Sequence, residues 1–344
     1  MKLLIVTQTV DVNDPVLGFF VRWVEEFAKH VERVEVICLK EGKHELPANV
    51  RVYSLGKERG AASRAAYAWR FLSLAWRLRR EYDTVFVHMN PEYLVLAGWL
   101  WRLLGKRSVL WYTHKSVDMK LRIATTFANA ICTASPESFR LSSKKVHVVG
   151  HGIDIKQFAA VPRKAWHGGK LRMLTFGRFS PTKRVREMFA ALDVLSARGV
   201  AFSFTVAGAP ATEADELYAQ DVRAAVSAKS YASHVRFLGA VPHRDVPALL
   251  ADADVFLNLS TTGSVDKTVL EALIAGVPAV TTNEAFRELL APSGLFVEHD
   301  TPEAIADALE AAARMDIAPL TQDVRQRYAL PRTIEAIITI LARQ

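Results

Sequence analysis

The residues best suited to chemistry lie in the second half of the chain, directly after an apolar run. Gly177 and Arg178 follow the run at 172–176, and Lys183 comes five residues after Arg178. A guanidinium binds phosphate oxygens through two parallel hydrogen bonds, and an ammonium acts as a compact point charge. Arg178 and Lys183 therefore suit a diphosphate, although cations of a solvated loop would look the same in sequence.

A second polar loop, residues 258–268, also follows an apolar run and leads into a helical pattern. The N–H groups and dipole at such a helix start attract phosphate, so the candidate residues here are Ser264, Lys267, Thr268 and Val269. Glu271, one turn into the helix, is placed to accept hydrogen bonds from a ribose diol. On its own, Glu271 would more often be an ordinary helix carboxylate.

The rest of the chain must position these loops, and its pattern is that of parallel sheets. Strand-length apolar runs alternate with amphipathic helical stretches, which is typical of βαβ units. We predict strands at 3–8, 34–39, 50–55, 84–89, 108–113, 130–133 and 146–149, and then at 172–176, 203–207, 235–238, 255–259, 279–282 and 295–297. The pattern predicts an α/β chain with two doubly wound, Rossmann-like lobes.

A stretch rich in Pro, Gly and charge separates the two sets of strands. We predict a first lobe at 1–160, a linker at 161–170, a second lobe at 171–325 and a final helix within 326–344 that returns to the first lobe. A length of 344 residues with 50% hydrophobic side chains suits two domains. The two cysteines, Cys38 and Cys132, lie in apolar runs, which excludes a disulfide scaffold and indicates a reducing compartment.

Charge and hydropathy narrow the location and the partners. Residues 1–165 carry 26 Lys and Arg against 15 Asp and Glu, so the first half is strongly basic and suits an anionic partner. The start at 1–7 is typical of a strand rather than a signal peptide, and the longest apolar run, 93–101, is too short to span a membrane. We expect a cytoplasmic protein that does not bind nucleic acid.

Four stretches of the second half resemble the family 4 glycosyltransferases of GT-B fold. They are GRFSPTK at 177–183, VRFLG at 235–239, ADVFLNLS at 253–260 and VLEALIAGVPAV at 269–280, and GHGID at 150–154 is a weaker match. The resemblance implies two lobes that face each other across a cleft. It also implies retaining transfer of a sugar from a UDP- or GDP-linked donor to a glycan or lipid-linked acceptor, in cell-envelope polysaccharide synthesis and without a metal or other cofactor.

The resemblance also implies roles for individual residues. Arg178 and Lys183 would stabilise the departing diphosphate, Glu271 would hold the ribose, and the backbone near Phe237 and Leu238 would meet the base. One position departs from the family, because Gly263 stands where the first motif glutamate is usual. That glutamate contacts the donor sugar, so its role is vacant or passes to Asp266 or to backbone near Ser264.

The first half offers weaker candidates. His114 follows the fifth predicted strand, in a position similar to the family's active-site histidine, where it would hold the donor sugar or the acceptor. A lone histidine at a strand end is just as often structural. Gly18, in the loop after the first strand, either lets a phosphate approach the backbone N–H groups or is a plain turn residue. His88, with Asn90 and Glu92, would line the acceptor side.

The predicted helix at 61–82 combines arginines with tryptophans, as helices on anionic membranes do. This predicts weak peripheral association with a membrane. The alternative is that its apolar residues all face the first sheet and its arginines face water. Two rival functions also stay open: a nucleotide-sugar epimerase or hydrolase of the same fold, and an inactive nucleotide-sugar binder, which Gly263 motivates.

Overall fold

The computed structural model describes residues 1–60, 62–159, 166 and 168–343. They divide into two compact units. The first contains Met1–Asp154, Pro242–Arg244 and the residues from Tyr328 on, and the second contains the described residues of Ile155–Val241 and Asp245–Arg327. The predicted boundary at 160 and most of the predicted linker, 161–165 and 167, lie outside the described residues.

The first unit is built on a seven-stranded parallel sheet. Its strands are β1 (Lys2–Val10), β2 (Arg33–Glu41), β3 (Val50–Ser54), β4 (Thr84–His88), β5 (Arg107–Trp111), β6 (Ala130–Thr133) and β7 (Val146–Val148). Their order across the sheet is β3-β2-β1-β4-β5-β6-β7. The central strands are nearly continuous apolar runs because helices cover both faces of the sheet.

Alternate residues of β1 enter two separate apolar clusters, one on each face of this sheet. Leu3 and Ile5 pack with α1 (Phe20–His30) and α13 (Leu330–Ala342). Leu4 and Val6 pack with α2 (Arg64–Arg77), α3 (Pro91–Leu103) and α4 (Met119–Phe127). The chain therefore returns with α13 to cover the first unit, as the sequence predicts.

The second unit contains a five-stranded parallel sheet in the order β10-β9-β8-β11-β12. Its strands are β8 (Leu171–Phe176), β9 (Phe202–Ala207), β10 (Val235–Gly239), β11 (Val255–Asn258) and β12 (Ala279–Thr281). Its helices are α5 (Ile155–Ala159), α6 (Val185–Ala197), α7 (Glu213–Ser227), α8 (Val246–Ala251), α9 (Lys267–Ile274), α10 (Arg287–Leu290), α11 (Pro302–Ala313) and α12 (Ala318–Arg327).

The predicted strands are present, with ends that differ by at most two residues, except the last. The prediction of a strand at 295–297 is wrong, since this segment forms a single parallel bridge between Phe296 and Thr281. The neighbouring β12 has only three residues, and Gly294 is left-handed at φ 73°, so pairing cannot extend. The predicted domain division differs at α5, which contacts α9 in the second unit.

Candidate functional site

Glycines end three neighbouring strands of the second sheet. Gly177 follows β8 with φ 135°, Gly208 follows β9 with φ 146°, and Gly239 ends β10 with φ 70°. A Cβ on Gly208 would lie 1.7 Å from the carbonyl oxygen of Gly177, so these two backbones approach too closely for any side chain. Sequence reasoning selected Gly177 but missed Gly208, although both directly follow an apolar strand.

The two polar loops of the sequence meet beside Gly177. Lys183 Nζ forms an ion pair with the Asp266 carboxylate. A Cβ on Gly177 would lie 3.6 Å from Lys183 Cε and 3.8 Å from Thr268 Cγ2, so the three residues surround one point. The loops are also joined by backbone, because the N–H of Thr261 donates to the oxygen of Thr182 at 3.1 Å. The carboxyl ends of β8 and β11 thus bring these candidates together.

Asp266 caps α9 and contacts Lys183, Asn258 and Thr268. Its carboxylate accepts hydrogen bonds from Asn258 Nδ2 at 3.0 Å and from Thr268 Oγ1 at 3.0 Å, and its side chain is about nine-tenths buried. Burial alone would raise the pKa of Asp266, but the Lys183 ammonium and these hydrogen bonds outweigh it and lower the pKa below its usual value. Sequence reasoning missed Asn258, whose only signal was its position at a strand end.

Arg178 lies against a different carboxylate from Lys183. Its Nε is 3.9 Å from Asp215 Oδ2, and about half of its side chain is exposed. Asp215 is buried near the start of α7, where Thr212 caps the helix. The two cations predicted to act together therefore have separate acidic partners.

The remaining candidates of the second loop fall on α9 or just before it. Glu271 is buried, and Lys267 Nζ lies 3.4 Å from its Oε1. Val269 is fully buried, and its N–H donates to the oxygen of Asp266 at 3.1 Å, so that N–H is used inside the protein. Ser264 contributes its carbonyl oxygen to Asn283 Nδ2 at 3.0 Å.

Gly263, the position where the sequence departs from the family pattern, is left-handed with φ 61°. Residues with a side chain adopt this conformation at a cost of about 1–2 kcal/mol. A glutamate at this position would require either that cost or a rearranged loop. The local backbone is thus adapted to glycine rather than to the carboxylate that the family usually has there.

The residues predicted to meet the base lie beside an aromatic pair. The rings of Phe237 and Phe179 have centroids 6.2 Å apart, and the Arg223 guanidinium lies 5.8 Å and 5.6 Å from them. Leu238 is partly exposed at the end of β10. The backbone of this strand end is held by the N–H of Gly208, which donates to the oxygen of Gly239 at 2.7 Å.

Comparison with known proteins shows which family this unit resembles. Residues 170–314 match the model of the family described as glycosyl transferases group 1. The second unit is similar to the group 1 glycosyl transferases. The match contains the candidate residues from Gly177 to Glu271, and the sequence-based resemblance to glycosyltransferases is confirmed at the level of the family.

Two curated relatives match about half of the chain. A putative colanic acid biosynthesis glycosyltransferase, WcaL, of Escherichia coli is 28% identical over 54% of this chain and 47% of its own length. A phosphatidyl-myo-inositol mannosyltransferase of Mycobacterium tuberculosis is 31% identical over 52% of this chain and 46% of its own. The chain therefore spans about half the length of the curated relatives that it matches.

Solved structures extend the likeness to the whole chain at the level of fold. HepE of Anabaena, solved with UDP and glucose, superposes with a TM-score of 0.75 at 17% identity over 100% of both chains. Sucrose-phosphate synthase of Thermosynechococcus elongatus gives 0.72 at 14% identity over 99% of this chain and 98% of its own. The predicted GT-B fold class, with its two parallel-sheet units, is confirmed.

The first unit places two of its candidates at loops. His114 is exposed after β5, and its Nδ1 accepts a hydrogen bond from the N–H of Ser116 at 3.1 Å. Gly18 lies in a tight turn, since a Cβ there would be 2.6 Å from the oxygen of Asp14. The N–H of Gly18 donates to that same oxygen at 3.0 Å. Gly18 is therefore required by the turn, whatever it binds.

His88 is a core residue rather than a surface one. It is 2% exposed, its ring stacks on Phe20 with centroids 3.9 Å apart, and its Nδ1 lies 3.2 Å from the Thr7 hydroxyl. Asn90 accepts a hydrogen bond from Gln8, and Glu92 pairs with Lys120 at 2.8 Å. The suggestion that His88 lines the acceptor side is wrong, because burial closes its ring to solvent.

Acidic and histidine side chains do not gather into a metal-binding group of three or more anywhere in the described part of the chain. The Asp252-Ala253-Asp254 triplet leads into β11. The fully buried Asp254 carboxylate accepts hydrogen bonds from the backbone N–H of Arg172 at 2.8 Å and from its guanidinium. Asp254 therefore holds the start of the second sheet together.

Proposed function

We propose that this chain is a retaining glycosyltransferase of family 4 that uses a nucleotide diphosphate sugar. The observation that carries the proposal is the group formed by Gly177, Lys183, Asp266 and Thr268 at the start of α9. An ammonium beside a helix N-terminus, next to a glycine with no side chain, suits a diphosphate that must approach the backbone.

In the proposed reaction, the bond between the sugar and the diphosphate breaks, and its electron pair leaves with the phosphate oxygen. A new glycosidic bond forms to an acceptor hydroxyl on the same face of the sugar, and the hydroxyl proton is released with the diphosphate. Lys183, Arg178 and the α9 dipole stabilise the charge that develops. Because these groups supply that stabilisation, the proposal needs no divalent cation or other cofactor.

The remaining candidates hold the donor and the acceptor. Glu271 accepts hydrogen bonds from the ribose, the ends of β10 at Phe237 and Leu238 meet the base, and His114 contacts the sugar or the acceptor. Lys183 needs its partner Asp266, which fixes the ammonium; we therefore assign Asp266 a positioning role rather than contact with the sugar. The proposed protein is cytoplasmic.

The names of the relatives support the choice of donor and acceptor. HepE was solved with UDP-glucose, and a relative from Xanthomonas oryzae is named GDP-mannose:cellobiosyl-diphosphopolyprenol alpha-mannosyltransferase. We accordingly propose a UDP- or GDP-linked sugar donor and a glycan or lipid-linked acceptor of cell-envelope polysaccharide synthesis. Association with the inner face of a membrane through residues 61–82 belongs to the same proposal, because a lipid-linked acceptor lies in a bilayer.

Gly263 favours one alternative, an inactive nucleotide-sugar binder. Its left-handed φ of 61° is suited to glycine, so the loop lacks the usual carboxylate toward the donor sugar. A binder and a transferase predict the same nucleotide affinity and differ only in turnover. An epimerase or hydrolase differs from both because it forms its product from the nucleotide sugar when no acceptor is present.

The first test is thermal unfolding with UDP, GDP, CMP, ADP and NAD, each with and without EDTA. A ligand that binds only the folded state, at a concentration a hundredfold above its Kd, raises the free energy of unfolding by about 2.7 kcal/mol. We expect a shift with UDP or GDP alone that EDTA does not change. If none of the nucleotides shifts the Tm, the donor site is refuted. A Tm shift that is lost in EDTA would refute metal independence.

The second test measures transfer and assigns the cations. Arg178→Ala should lower kcat by about a hundredfold or more, as expected for a group that stabilises developing charge. Arg186→Ala is the matched control, because Arg186 is similarly exposed and also pairs with an aspartate, Asp221, of the same unit. Equal activity in both variants would remove Arg178 from the proposal, and an inverted anomer in the product would refute the retaining mechanism.

A further inference from the structure

Large apolar side chains exposed to solvent are concentrated on three helices of the first unit. The described residues include eleven such side chains, and six of them lie on α2, α3 and α4. We call these six and five exposed cations of the same helices the Trp-Arg surface: Trp69, Trp76, Trp99, Leu103, Met119, Ile123, Arg64, Arg77, Arg102, Lys120 and Arg122.

The spacing of the apolar residues puts them on one side of each helix. Trp69 and Trp76 are seven residues apart on α2, which is two turns, and the buried residues Phe71 and Ala75 lie on the opposite side. The sequence alternative that all apolar residues of this helix face the sheet is therefore wrong for the two tryptophans, which are 70% and 50% exposed.

The two neighbouring helices repeat this arrangement at a spacing of four residues. Trp99 and Leu103 share the outer side of α3, and Met119 and Ile123 share the outer side of α4. The inner sides of α2, α3 and α4 all pack into one apolar cluster on one face of the seven-stranded sheet. Their outer sides therefore point the same way, away from that sheet.

Charge on this part of the chain is strongly positive. Residues 64–127 contain 11 Lys and Arg against 4 Asp and Glu, a net +7 out of +8 for the whole chain. Several of the cations are fixed near the apolar residues: Arg102 donates to backbone carbonyls at the end of α4, and Arg79 lies over the Trp76 ring at 4.2 Å. Aromatic rings and cations are thus mixed across the surface.

We propose that the Trp-Arg surface docks on an anionic lipid bilayer. Tryptophan rings partition to the headgroup level of membranes, and Lys and Arg side chains are attracted to anionic headgroups. The proposal deepens the suggested membrane association of residues 61–82 by adding α3 and α4, which makes a broad face instead of a single helix. A second copy of the chain is a poorer occupant, because a two-fold contact would place two positively charged surfaces against each other.

Docking here differs from insertion across the membrane. Within the described residues, no helix combines the length and the apolar character needed to span a bilayer. Binding that rests on exposed side chains and charge should be reversible and should weaken as salt screens the cations.

The test is flotation of the full chain with vesicles, measured without donor or acceptor so that it is independent of the proposed transfer. We expect binding to vesicles of equal parts phosphatidylglycerol and phosphatidylcholine and little binding to phosphatidylcholine alone. Equal binding to both would overturn the anionic assignment. No binding to either would overturn the proposal, and concentration-dependent dimers that dissociate in the tryptophan variant below would assign the surface to a second copy.

Two variants separate the contributions of rings and charges. Trp69→Ser, Trp76→Ser and Trp99→Ser combined should reduce the bound fraction at least about tenfold, since three interfacial rings are lost. Arg64→Gln, Arg77→Gln and Arg122→Gln combined should lower the partition constant about a hundredfold, at about fivefold for each cation. All six side chains are exposed, so both variants should unfold thermally like the parent.

Matched controls lie on the second unit. Leu217→Ser removes an exposed apolar side chain of α7, and Arg236→Gln removes an exposed cation of β10. Both should bind vesicles like the parent. Brominated lipids test the surface without mutation, because they should quench the fluorescence of the exposed Trp99 and its neighbours but not that of the buried Trp23 and Trp101. Parent-like binding by both Trp-Arg variants would overturn the proposal.

Discussion

The ion pair between Lys183 and Asp266 can be tested with a double-mutant cycle. The cycle consists of Lys183→Met, Asp266→Asn and the two changes combined. Methionine keeps most of the aliphatic stem of Lys183, and asparagine caps helices about as well as aspartate. The cycle therefore removes the charges of the pair while it keeps the start of α9 and the local packing.

The expected magnitudes follow from burial. The Asp266 side chain is 9% exposed and that of Lys183 is 19% exposed, so the carboxylate depends more on its partner. Loss of one partner of a buried pair costs about 3–5 kcal/mol, which the hydrogen bonds from Asn258 and Thr268 reduce; we expect about 2–3 kcal/mol for Lys183→Met. Asp266→Asn should cost about 1–2 kcal/mol, because the ammonium can turn toward water.

The assay is thermal unfolding of the full chain, followed by circular dichroism. For a unit of this size, 1 kcal/mol corresponds to about 2–4 °C in Tm, so Lys183→Met should lower the Tm of the second unit by about 4–12 °C. The double variant should lose about 1–3 kcal/mol less than the sum of the single variants. Strictly additive effects would refute the pair as a stabilising interaction.

The pH dependence gives a second test of the same pair. The pKa of Asp266 is lowered in the folded chain, so its contribution is complete above the unfolded value of about 3.9 and is lost as the pH falls through the folded value. The coupling free energy should therefore be the same at pH 7 and pH 5 and should decline below about pH 3.9. A coupling that vanishes between pH 7 and pH 5 would contradict this assignment.

Two further predictions concern backbone and thiols. Gly208→Ala should lower the free energy of unfolding by at least about 3 kcal/mol or prevent folding, since its Cβ would overlap a carbonyl oxygen at 1.7 Å. The control is Gly199→Ala, whose Cβ meets no atom within 4 Å and which should cost only about 1–2 kcal/mol because of its positive φ. Equal Tm values for the two variants would refute the close approach of Gly208 to Gly177. Burial raises the pKa of both Cys38 and Cys132 to about 12, so a maleimide should label neither in the folded chain and both in denaturant, as read by mass spectrometry. Labelling of the folded chain would contradict that burial.

The sheets were predictable from sequence because parallel strands covered on both faces are continuous apolar runs. The runs that became β1, β4, β8 and β11 needed no tertiary information to be recognised. The segment 295–297 has the same apolar character and forms only a bridge. Its failure as a strand depends on the left-handed Gly294 before it and on the short length of β12, which is a property of the neighbour rather than of the segment.

The candidate site was predictable in its location but less so in its partners. Glycines and cations after strands indicate the carboxyl edge of the sheet, and Gly177, Lys183 and Thr268 indeed meet there. The sequence could not show that Asp266 is the partner of Lys183, because 83 residues separate them. Nor could it show that Trp69 and Trp76 are exposed, because this depends on the rotation of α2 about its own axis.

The return of α13 to the first unit also constrains the order in which the chain can fold during synthesis. Ile334, Ile337 and Leu341 complete the apolar cluster that α1 begins, and the 170 residues of the second unit are translated between the two parts. The apolar face of β1 and α1 that α13 covers therefore stays exposed until the whole second unit has left the ribosome. In a ribosome-bound chain that stops at Arg327, chaperones should bind the first unit, whereas the second unit should already be protected from proteases.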